Sequence, residues 1–266
     1  MPVLSMVLRR RLMSTVWWGL GLVGFVLLLA VAYPAVRGNA ALDKTFAGLP
    51  PGVESALGLS SQETITSPAG YLNSQYFANI LPILLLVFSL GLAAWSIAGD
   101  EAAGTLELLL SRPVSRVRVG LERFGALFVL LAALTGVAGL ALVVLAPLFS
   151  LSQGLSGGGI MAATVATALL ALTFGAVAFF IGAGTGNRGL AVAVSSTLAV
   201  AGFVIEGLGA QVQALHGIRE ASPWHWLLSS DALHAGLTWQ AWALPLATTV
   251  VLVGLGVAVF ARRDLR

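Results

Sequence analysis

Six apolar runs of about 20 residues, with Glu206 in the fifth as their single charged residue, constrain this sequence more than any other feature. A helix rises 1.5 Å per residue, so about 20 apolar residues span the roughly 30 Å hydrocarbon core of a bilayer. Spanning segments must satisfy their own backbone polar groups, and barrel strands would be about 10 residues long with alternating polarity, so the runs predict helices. The runs cover residues 17–36, 76–98, 124–146, 160–183, 190–208 and 242–261.

The composition of this 266-residue chain excludes a water-soluble protein. Hydrophobic residues make up 58% of it and charged residues only 9%, whereas soluble domains average about 25% charged residues. The chain has no cysteine, which excludes a disulfide-stapled fold and thiolate chemistry. Its 14 lysines and arginines are scattered along the segments that flank the runs and do not indicate a nucleic-acid partner. We expect an all-α membrane protein with six transmembrane helices, in contact with the lipid bilayer.

The cations predict how these helices are oriented. Cytoplasmic loops carry an excess of lysine and arginine, and eleven arginines lie on the side of both termini against three cations on the other. Both termini are therefore expected in the cytoplasm, in a multi-pass protein of the cytoplasmic (inner) membrane. The eleven are Arg9, Arg10, Arg11, Arg112, Arg116, Arg118, Arg123, Arg188, Arg262, Arg263 and Arg266; the three are Arg37, Lys44 and Arg219.

The first run has an alternative interpretation as a cleaved signal peptide, because three arginines precede it. Residues 17–36 are longer than a typical apolar core of a signal peptide, and they end in Tyr33-Pro34 without a small-residue cleavage site. We therefore expect a retained helix.

The connections suggest a single domain, residues 1–266, with two long outer loops. The loop at 37–75 holds apolar residues at helical spacing, which predicts short helices at 41–49 and 53–59 on the membrane surface. The loop at 209–241 contains Ser222-Pro223 and a further short helix before the last run. The third outer connection contains Leu155-Ser156-Gly157-Gly158, which looks like the ABC ATPase signature sequence but is interpreted as coincidence, a flexible glycine linker.

Residues 99–120, between the second and third runs, form the cytoplasmic stretch that is densest in polar residues. Its apolar residues keep the three-and-four spacing of one helix face, which indicates burial of that face. Proline is tolerated in the first turn of a helix but not in its interior, so Pro113 predicts two short helices meeting near Ser111 and Arg112. From composition alone, a solvated hairpin that merely obeys the positive-inside rule is an equally good interpretation.

The residues of this stretch resemble the segment after the second span of ABC-2 type permeases, the membrane subunits of ABC exporters. The similar strings are Asp100-Glu101, Gly104-Thr105-Leu106-Glu107 and Leu110-Ser111-Arg112-Pro113-Val114-Ser115-Arg116. Further similar pieces follow the family's order: Leu49-Pro50-Pro51-Gly52 with Leu57-Gly58, then Ser222-Pro223, then Phe260-Ala261-Arg262-Arg263-Asp264-Leu265. The resemblance thus covers nearly the whole chain.

The resemblance implies a subunit that is not an enzyme and docks a separate ABC ATPase, which would hold the ATP and magnesium; no cofactor is expected on this chain. A phosphate-binding loop needs a lysine, and the single lysine here is Lys44 on the outer side. The implied ATPase-coupling segment is 99–120, and its implied coupling residues are Glu101, Gly104, Thr105, Glu107, Arg112, Pro113 and Arg116.

Two further elements follow from the resemblance. Residues 1–16 would form the amphipathic connecting helix that precedes the first span, with an anchor on anionic lipid as an equal alternative. A second membrane subunit, either a second copy or a related permease, would complete the transporter. Because the spans hold almost no ionisable residues, the expected cargo is amphipathic or hydrophobic, exported by alternating access.

Two rival functions are a membrane-embedded enzyme and a scaffold or ion-conducting subunit of another complex. An enzyme would need a nucleophile with a base inside the spans; Ser195 and Ser196 lie in the fifth run, but the histidines lie outside all runs. Glu206, near the outer end of that run, is interpreted as an interfacial carboxylate that reaches water. The three histidines, His216, His225 and His234, are expected to have structural or surface roles rather than to bind a metal.

Overall fold

The computed structural model describes residues 2–46, 48, 53, 64–102, 104, 114–209 and 212–263. These ranges are mostly helical, and six of their helices are long and apolar enough to cross a membrane. In chain order the helices are α1 (Pro2–Val36), α2 (Ala40–Phe46), α3 (Pro68–Ala102), α4 (Arg116–Phe149), α5 (Gly157–Thr185), α6 (Arg188–Gly209), α7 (His216–Glu220), α8 (Pro223–Leu228), α9 (Ala232–Ala235) and α10 (Trp239–Arg262). Each long helix contains one of the six predicted runs, so the predicted all-α fold with six spanning helices is confirmed.

Serine caps decide where two of the long helices begin. Ser115 Oγ accepts a hydrogen bond from the Arg118 N–H at 3.3 Å before α4, and Ser156 Oγ accepts one from the Gly159 N–H at 2.9 Å before α5. A cap of this kind satisfies an N–H that has no partner within the helix. The interpretation of Gly157 and Gly158 as a flexible linker is therefore wrong, because both residues lie in the first turn of α5.

Helix α5 forms the centre of the bundle. It packs against α3, α4, α6 and α10, and 78% of its most apolar 18-residue stretch is buried, against 22% for α6. Its contact with α3 is close at Gly175, where Ser89 Oγ donates a hydrogen bond to the Ala171 C=O at 2.7 Å. Small residues and interhelical hydrogen bonds are how helices associate in lipid.

Helix α1 packs along α4 and also faces α3 across a seam of aromatic rings. Trp18 meets Phe88 edge-on with ring centroids 5.9 Å apart, and Phe25 stacks on Tyr76 at 6.3 Å. Because residue numbers rise along α1 as they fall along α3, the two helices run antiparallel. Two stretches of α3, Asn73–Ile80 and Trp95–Gly99, are π-helical, a geometry that is frequent at functional sites.

Both ends of the described chain lie at the same end of the bundle. The backbone N–H groups of Val3 and Leu4 donate to Glu122 of α4. Arg263, the residue that follows α10, contacts Glu101 of α3. We call this the arginine-rich end. Its described arginines are Arg9, Arg10, Arg11, Arg116, Arg118, Arg123, Arg188, Arg262 and Arg263. The short helices α2 and α7–α9 lie at the opposite end, with Arg37, Lys44 and Arg219.

The close contact of α3 and α5 generates a stability prediction. An added Cβ at Gly175 would displace the Ser89 hydroxyl and approach Leu127 Cδ2 at 3.2 Å, so we expect Gly175→Ala to cost about 1–3 kcal/mol. Gly91→Ala in α3 is the matched control, since a Cβ there meets no described neighbour within 4 Å and alanine favours a helix by about 1 kcal/mol over glycine. Thermal unfolding in detergent compares the two; equal unfolding temperatures would contradict the prediction.

Candidate functional site

A buried ion pair joins α3 to α4 at the arginine-rich end. Arg123 Nη2 lies 2.5 Å from Asp100 Oδ2, and the two residues are only 2% and 5% exposed. Arg10 of α1 adds a longer contact, 3.9 Å from Nη1 to Asp100 Oδ1. A buried charge without a partner costs several kcal/mol, so this pair holds the end of α3 against the start of α4, with α1 beside them.

A second ion pair ties α10 to the same place. Arg263 pairs with the Glu101 carboxylate, and both side chains are mostly buried. The Arg263 backbone C=O accepts a hydrogen bond from the Arg116 guanidinium. The end of α3, the start of α4 and the end of α10 therefore meet at one residue, Arg263.

Glu122 of α4 caps the start of α1. Its Oε2 accepts hydrogen bonds from the Val3 N–H at 2.9 Å and the Leu4 N–H at 3.1 Å, while Oε1 accepts one from Arg118 Nε at 2.8 Å. The first N–H groups of a helix have no partner within it and attract a carboxylate. Glu122 provides that partner from another helix and so fixes the start of α1 on α4.

These contacts form one unit, the ionic network. Its members are Arg10, Asp100, Glu101, Arg116, Arg118, Glu122, Arg123 and Arg263. Asp100 and Glu101 sit at the C-terminal end of α3, and Arg116 sits at the N-terminal end of α4. Each of these charges opposes the dipole of its own helix, so tertiary pairing rather than helix preference accounts for their placement.

Two glycines at the network adopt the left-handed backbone conformation. Gly104 (φ 66°) follows α3, and its N–H donates to the Glu101 C=O at 3.0 Å. Gly186 (φ 67°) joins α5 to α6; a Cβ there would lie 2.5 Å from Arg263 Nη1 and 2.7 Å from Glu101 Oε2. Glycine avoids both the conformational strain and the contact, so the α5–α6 turn can close over the Glu101–Arg263 pair.

The structure describes three of the seven residues that the sequence suggested for coupling. It brings Glu101 and Arg116 together through Arg263 and places Gly104 one turn after Glu101. The other four lie outside the described residues: Thr105, Glu107, Arg112 and Pro113.

Sequence reasoning missed the buried partners of the network, Asp100–Arg123 and the Glu122 cap. The sequence did contain a signal for the Asp100–Arg123 pair. The two residues have opposite charges, and they lie next to the end of the second apolar run at 98 and the start of the third at 124. Two such ends must lie near each other when one loop joins the spans. The Glu122 cap had no comparable signal, since Glu122 and Val3 are 119 residues apart.

Glu206, in the opposite half of the molecule, is 2% exposed, so its interpretation as a carboxylate that reaches water is wrong. Arg219 of α7 donates to Glu206 Oε1 from Nη2 at 2.8 Å and from Nε at 3.1 Å, and His225 Nδ1 of α8 lies 3.1 Å from Oε2. These two residues cover the carboxylate and fasten α7 and α8 to α6. Within the described ranges, no group of three or more His, Cys, Asp or Glu residues is arranged to hold a metal ion.

An apolar groove of about 260 Å³ lies between α3 and α6. Its few polar groups include Asn79, in a π-helical stretch of α3, and Ser196 of α6. Phe203 and Trp224 close one end; their rings meet at 4.9 Å, and Trp224 Nε1 donates to the Ala199 C=O at 2.8 Å. Apolar walls with a few placed polar groups are typical of sites for amphipathic ligands.

In the part of the chain that the structure describes, the serines of α6 are not paired with a catalytic base. Ser195 Oγ is buried and has no hydrogen-bond partner there, whereas a serine nucleophile needs a base within hydrogen-bond reach. The three histidines lie in α7, α8 and α9.

Comparison with known families identifies one match that spans the chain. A family model described as "ABC-2 family transporter protein" matches residues 1–265, which confirms the resemblance stated from the sequence. No curated protein matches the chain.

The Asp100–Arg123 pair generates a second stability prediction. Removing one partner of a buried ion pair costs about 3–5 kcal/mol, whereas replacing both with apolar residues is often neutral. We therefore expect Asp100→Asn to lower the thermal unfolding temperature in detergent, and the double variant Asp100→Leu with Arg123→Leu to recover much of the loss. Arg262→Gln is the control, since Arg262 is exposed at the same end. A double variant no more stable than Asp100→Asn would contradict the account.

Proposed function

This chain belongs to the ABC-2 transporter family, and from that premise we propose that it is the permease subunit of an ATP-driven exporter whose energy comes from a separate ATPase subunit. It is a multi-pass membrane protein, with six helices of spanning length and composition. The observation that carries the proposal is the ionic network, because the described residues on both sides of positions 105–113 belong to it or adjoin it: Glu101 and Gly104 precede these positions, and Arg116 at the start of α4 follows them.

The proposed mechanism uses residues 99–120 as the coupling segment. A short helical element that inserts into a groove on a partner is a common mode of recognition. ATP binding closes the ATPase subunits together and displaces the segment, and the network distributes that displacement over α1, α3, α4 and α10. Such coupling requires contacts whose free energy differs between the two states of the transporter. Ion pairs between helix ends have that property, because their attraction weakens as the helix ends move apart.

The proposed cargo is amphipathic or hydrophobic. The groove between α3 and α6 supports this, because it offers apolar and aromatic walls with an amide and a hydroxyl. Helix α3 connects the network with the groove, because it carries Asp100 and Glu101 of the network and also forms one wall of the groove. A shift of α3 therefore changes the groove and the coupling segment together, as alternating access requires.

The proposed assembly contains two membrane subunits, most simply two copies related by a two-fold axis. The surface of α6 is consistent with a partner or lipid, because its outward residues are large and apolar: Val200, Val204 and Leu208 are each about half exposed. Two permease subunits with two ATPases complete the transporter.

The proposed orientation places the arginine-rich end in the cytoplasm, following the positive-inside rule. Because the chain has no cysteine, single cysteines can report it directly. We expect Arg262→Cys in sealed right-side-out vesicles to react with a membrane-impermeant maleimide only after permeabilisation, and Gly217→Cys in α7 to react without it. Both residues are exposed. The reverse pattern would contradict the proposal, since it would place the coupling segment outside the cell.

The coupling segment generates a functional prediction. We expect Glu107→Lys and Arg112→Glu to weaken copurification of the ATPase from native membranes and to lower permease-dependent ATP hydrolysis in proteoliposomes by about fivefold or more, the lower end of typical coupling effects. Glu220→Lys is the matched control, because Glu220 is exposed on α7 at the opposite end.

Two results would count against this function. Variants that insert normally and still bind and stimulate the ATPase would contradict the role of the segment. A chain that copurifies from its native membrane with no nucleotide hydrolase would contradict the exporter assignment itself.

A further inference from the structure

A second groove, separate from the one between α3 and α6, follows the seam between α1 and α3. Its volume is about 420 Å³, and its walls are apolar and aromatic. The lining residues are Trp17, Trp18, Gly21, Leu22, Phe25 and Leu84. The ring contacts Trp18–Phe88 and Phe25–Tyr76 hold the two helices beside each other along it. Five of the lining residues lie on α1, and Leu84 of α3 faces them across the groove.

Arginines gather on this seam at the arginine-rich end. The Cζ atoms of Arg11 and Arg10 lie 4.1 Å and 4.8 Å from the centre of the Trp95 ring. Gly99 leaves room for that ring, since a Cβ at Gly99 would come within 2.5 Å of it. A cation over the face of a tryptophan is held by electrostatic attraction, so Trp95 fixes both guanidinium groups at the end of the seam.

This group of arginines carries more positive charge than the described carboxylates around it balance. Asp100 contacts Arg10 at 3.9 Å but is engaged more closely by Arg123 at 2.5 Å. Arg188 of α6 also repels Arg11. The Nε of Arg11 is buried and has no hydrogen-bond partner within the described ranges. A donor that is desolvated and unpaired in an excess of positive charge indicates a missing anionic acceptor.

The spacing along α1 places the arginines and the groove in line. Arg11, Trp18 and Phe25 follow at intervals of seven residues, nearly two helical turns, so they share one face. Each interval corresponds to about 10 Å of helix rise. Along the helix axis, the apolar lining therefore begins about 10 Å after Arg11 and continues for about another 10 Å. The total of about 20 Å matches one leaflet with its headgroup region, which is half of the roughly 40–45 Å thickness of a whole bilayer.

We propose that the α1–α3 seam binds one anionic phospholipid from the leaflet at the arginine-rich end. Its phosphate lies on Arg10 and Arg11, where guanidinium groups match phosphate oxygens in charge and geometry, and an acyl chain lies in the groove between Trp17 and Phe25. Charge complementarity selects an anion over a zwitterion, and the continuous apolar groove selects a lipid over a free phosphate. This site depends on membrane insertion and not on export.

The test is lipid binding by the purified full chain, read by native mass spectrometry during titration with phosphatidylglycerol or phosphatidylcholine of matched acyl chains. We expect at least tenfold tighter binding of phosphatidylglycerol. The double variant Arg10→Gln with Arg11→Gln should abolish that preference. Arg37→Gln with Lys44→Gln removes the same charge at the opposite end and should keep it. Equal binding of the two lipids by the unmodified chain, or a preference that survives in the Arg10 and Arg11 variant, would overturn the proposal.

The groove is tested separately from the charge. Gly21→Leu fills it, because a Cβ at Gly21 meets no described neighbour within 4 Å, and we expect it to weaken phosphatidylglycerol binding tenfold. Gly24→Leu adds the same side chain on the same helix, also into open space but outside the groove lining, and should have no effect. Because neither change touches the network, this pair decides the outcome even if the arginine variant fails to fold.

Free anions form the last arm of the test. We expect millimolar inorganic phosphate or glycerol phosphate to leave phosphatidylglycerol bound, because neither occupies the groove. Complete displacement by inorganic phosphate, together with normal lipid binding by Gly21→Leu, would assign the arginines to a soluble anion and overturn the lipid site.

Discussion

Helices in a bilayer gain little by burying apolar surface against one another, because the lipid tails are as apolar as the helices. What holds this bundle together must therefore be close packing and polar contacts. Around α5 it is packing: Gly175 lies against Ser89 of α3, and Gly256 of α10 lies against the Phe179 ring. At the arginine-rich end it is the ionic network, whose central charges, Asp100 and Arg123, are buried and therefore depend on each other.

The network does what packing alone cannot, because it joins helix ends that are far apart in sequence. Its contacts connect Glu101 with Arg263, Arg116 with Arg263, and Glu122 with Val3, across 162, 147 and 119 residues. Separating these helix ends would remove a buried charge from its partner, which costs several kcal/mol. The ends of α1, α3, α4 and α10 are therefore held together at the arginine-rich end.

How much the sequence could predict depended on whether the signal was local. The six spanning helices follow from runs of about 20 apolar residues. Each observed helix is longer than its run; α4, for example, begins at Arg116 rather than at Phe124, because Ser115 caps it there. The family followed from short strings such as Gly104-Thr105-Leu106-Glu107. The partners of those residues did not, since Arg263 and Glu122 become neighbours of Glu101 and Val3 only when the helices assemble. Glu206 was misread for the same reason: the covering Arg219 and His225 come from α7 and α8, short helices whose placement apolar periodicity does not give.

The two ends of the molecule are built differently, and the difference bears on how it works. Near the opposite end, the ionic and ring contacts of α6 are local: Glu206 binds Arg219 and His225, 13 and 19 residues away, and Trp224 binds Ala199, 25 residues away. Helices α7 and α8 are thus attached to α6, whereas the network joins four spanning helices. In the proposed mechanism, a displacement applied at the arginine-rich end would reach α3 through these ion pairs, and α3 contributes to the lining of both grooves. Helix α6 lines only the first of these grooves and carries its own ion pairs to α7 and α8, so in the proposed mechanism a relative movement of α3 and α6 would change that groove while those ion pairs stay intact.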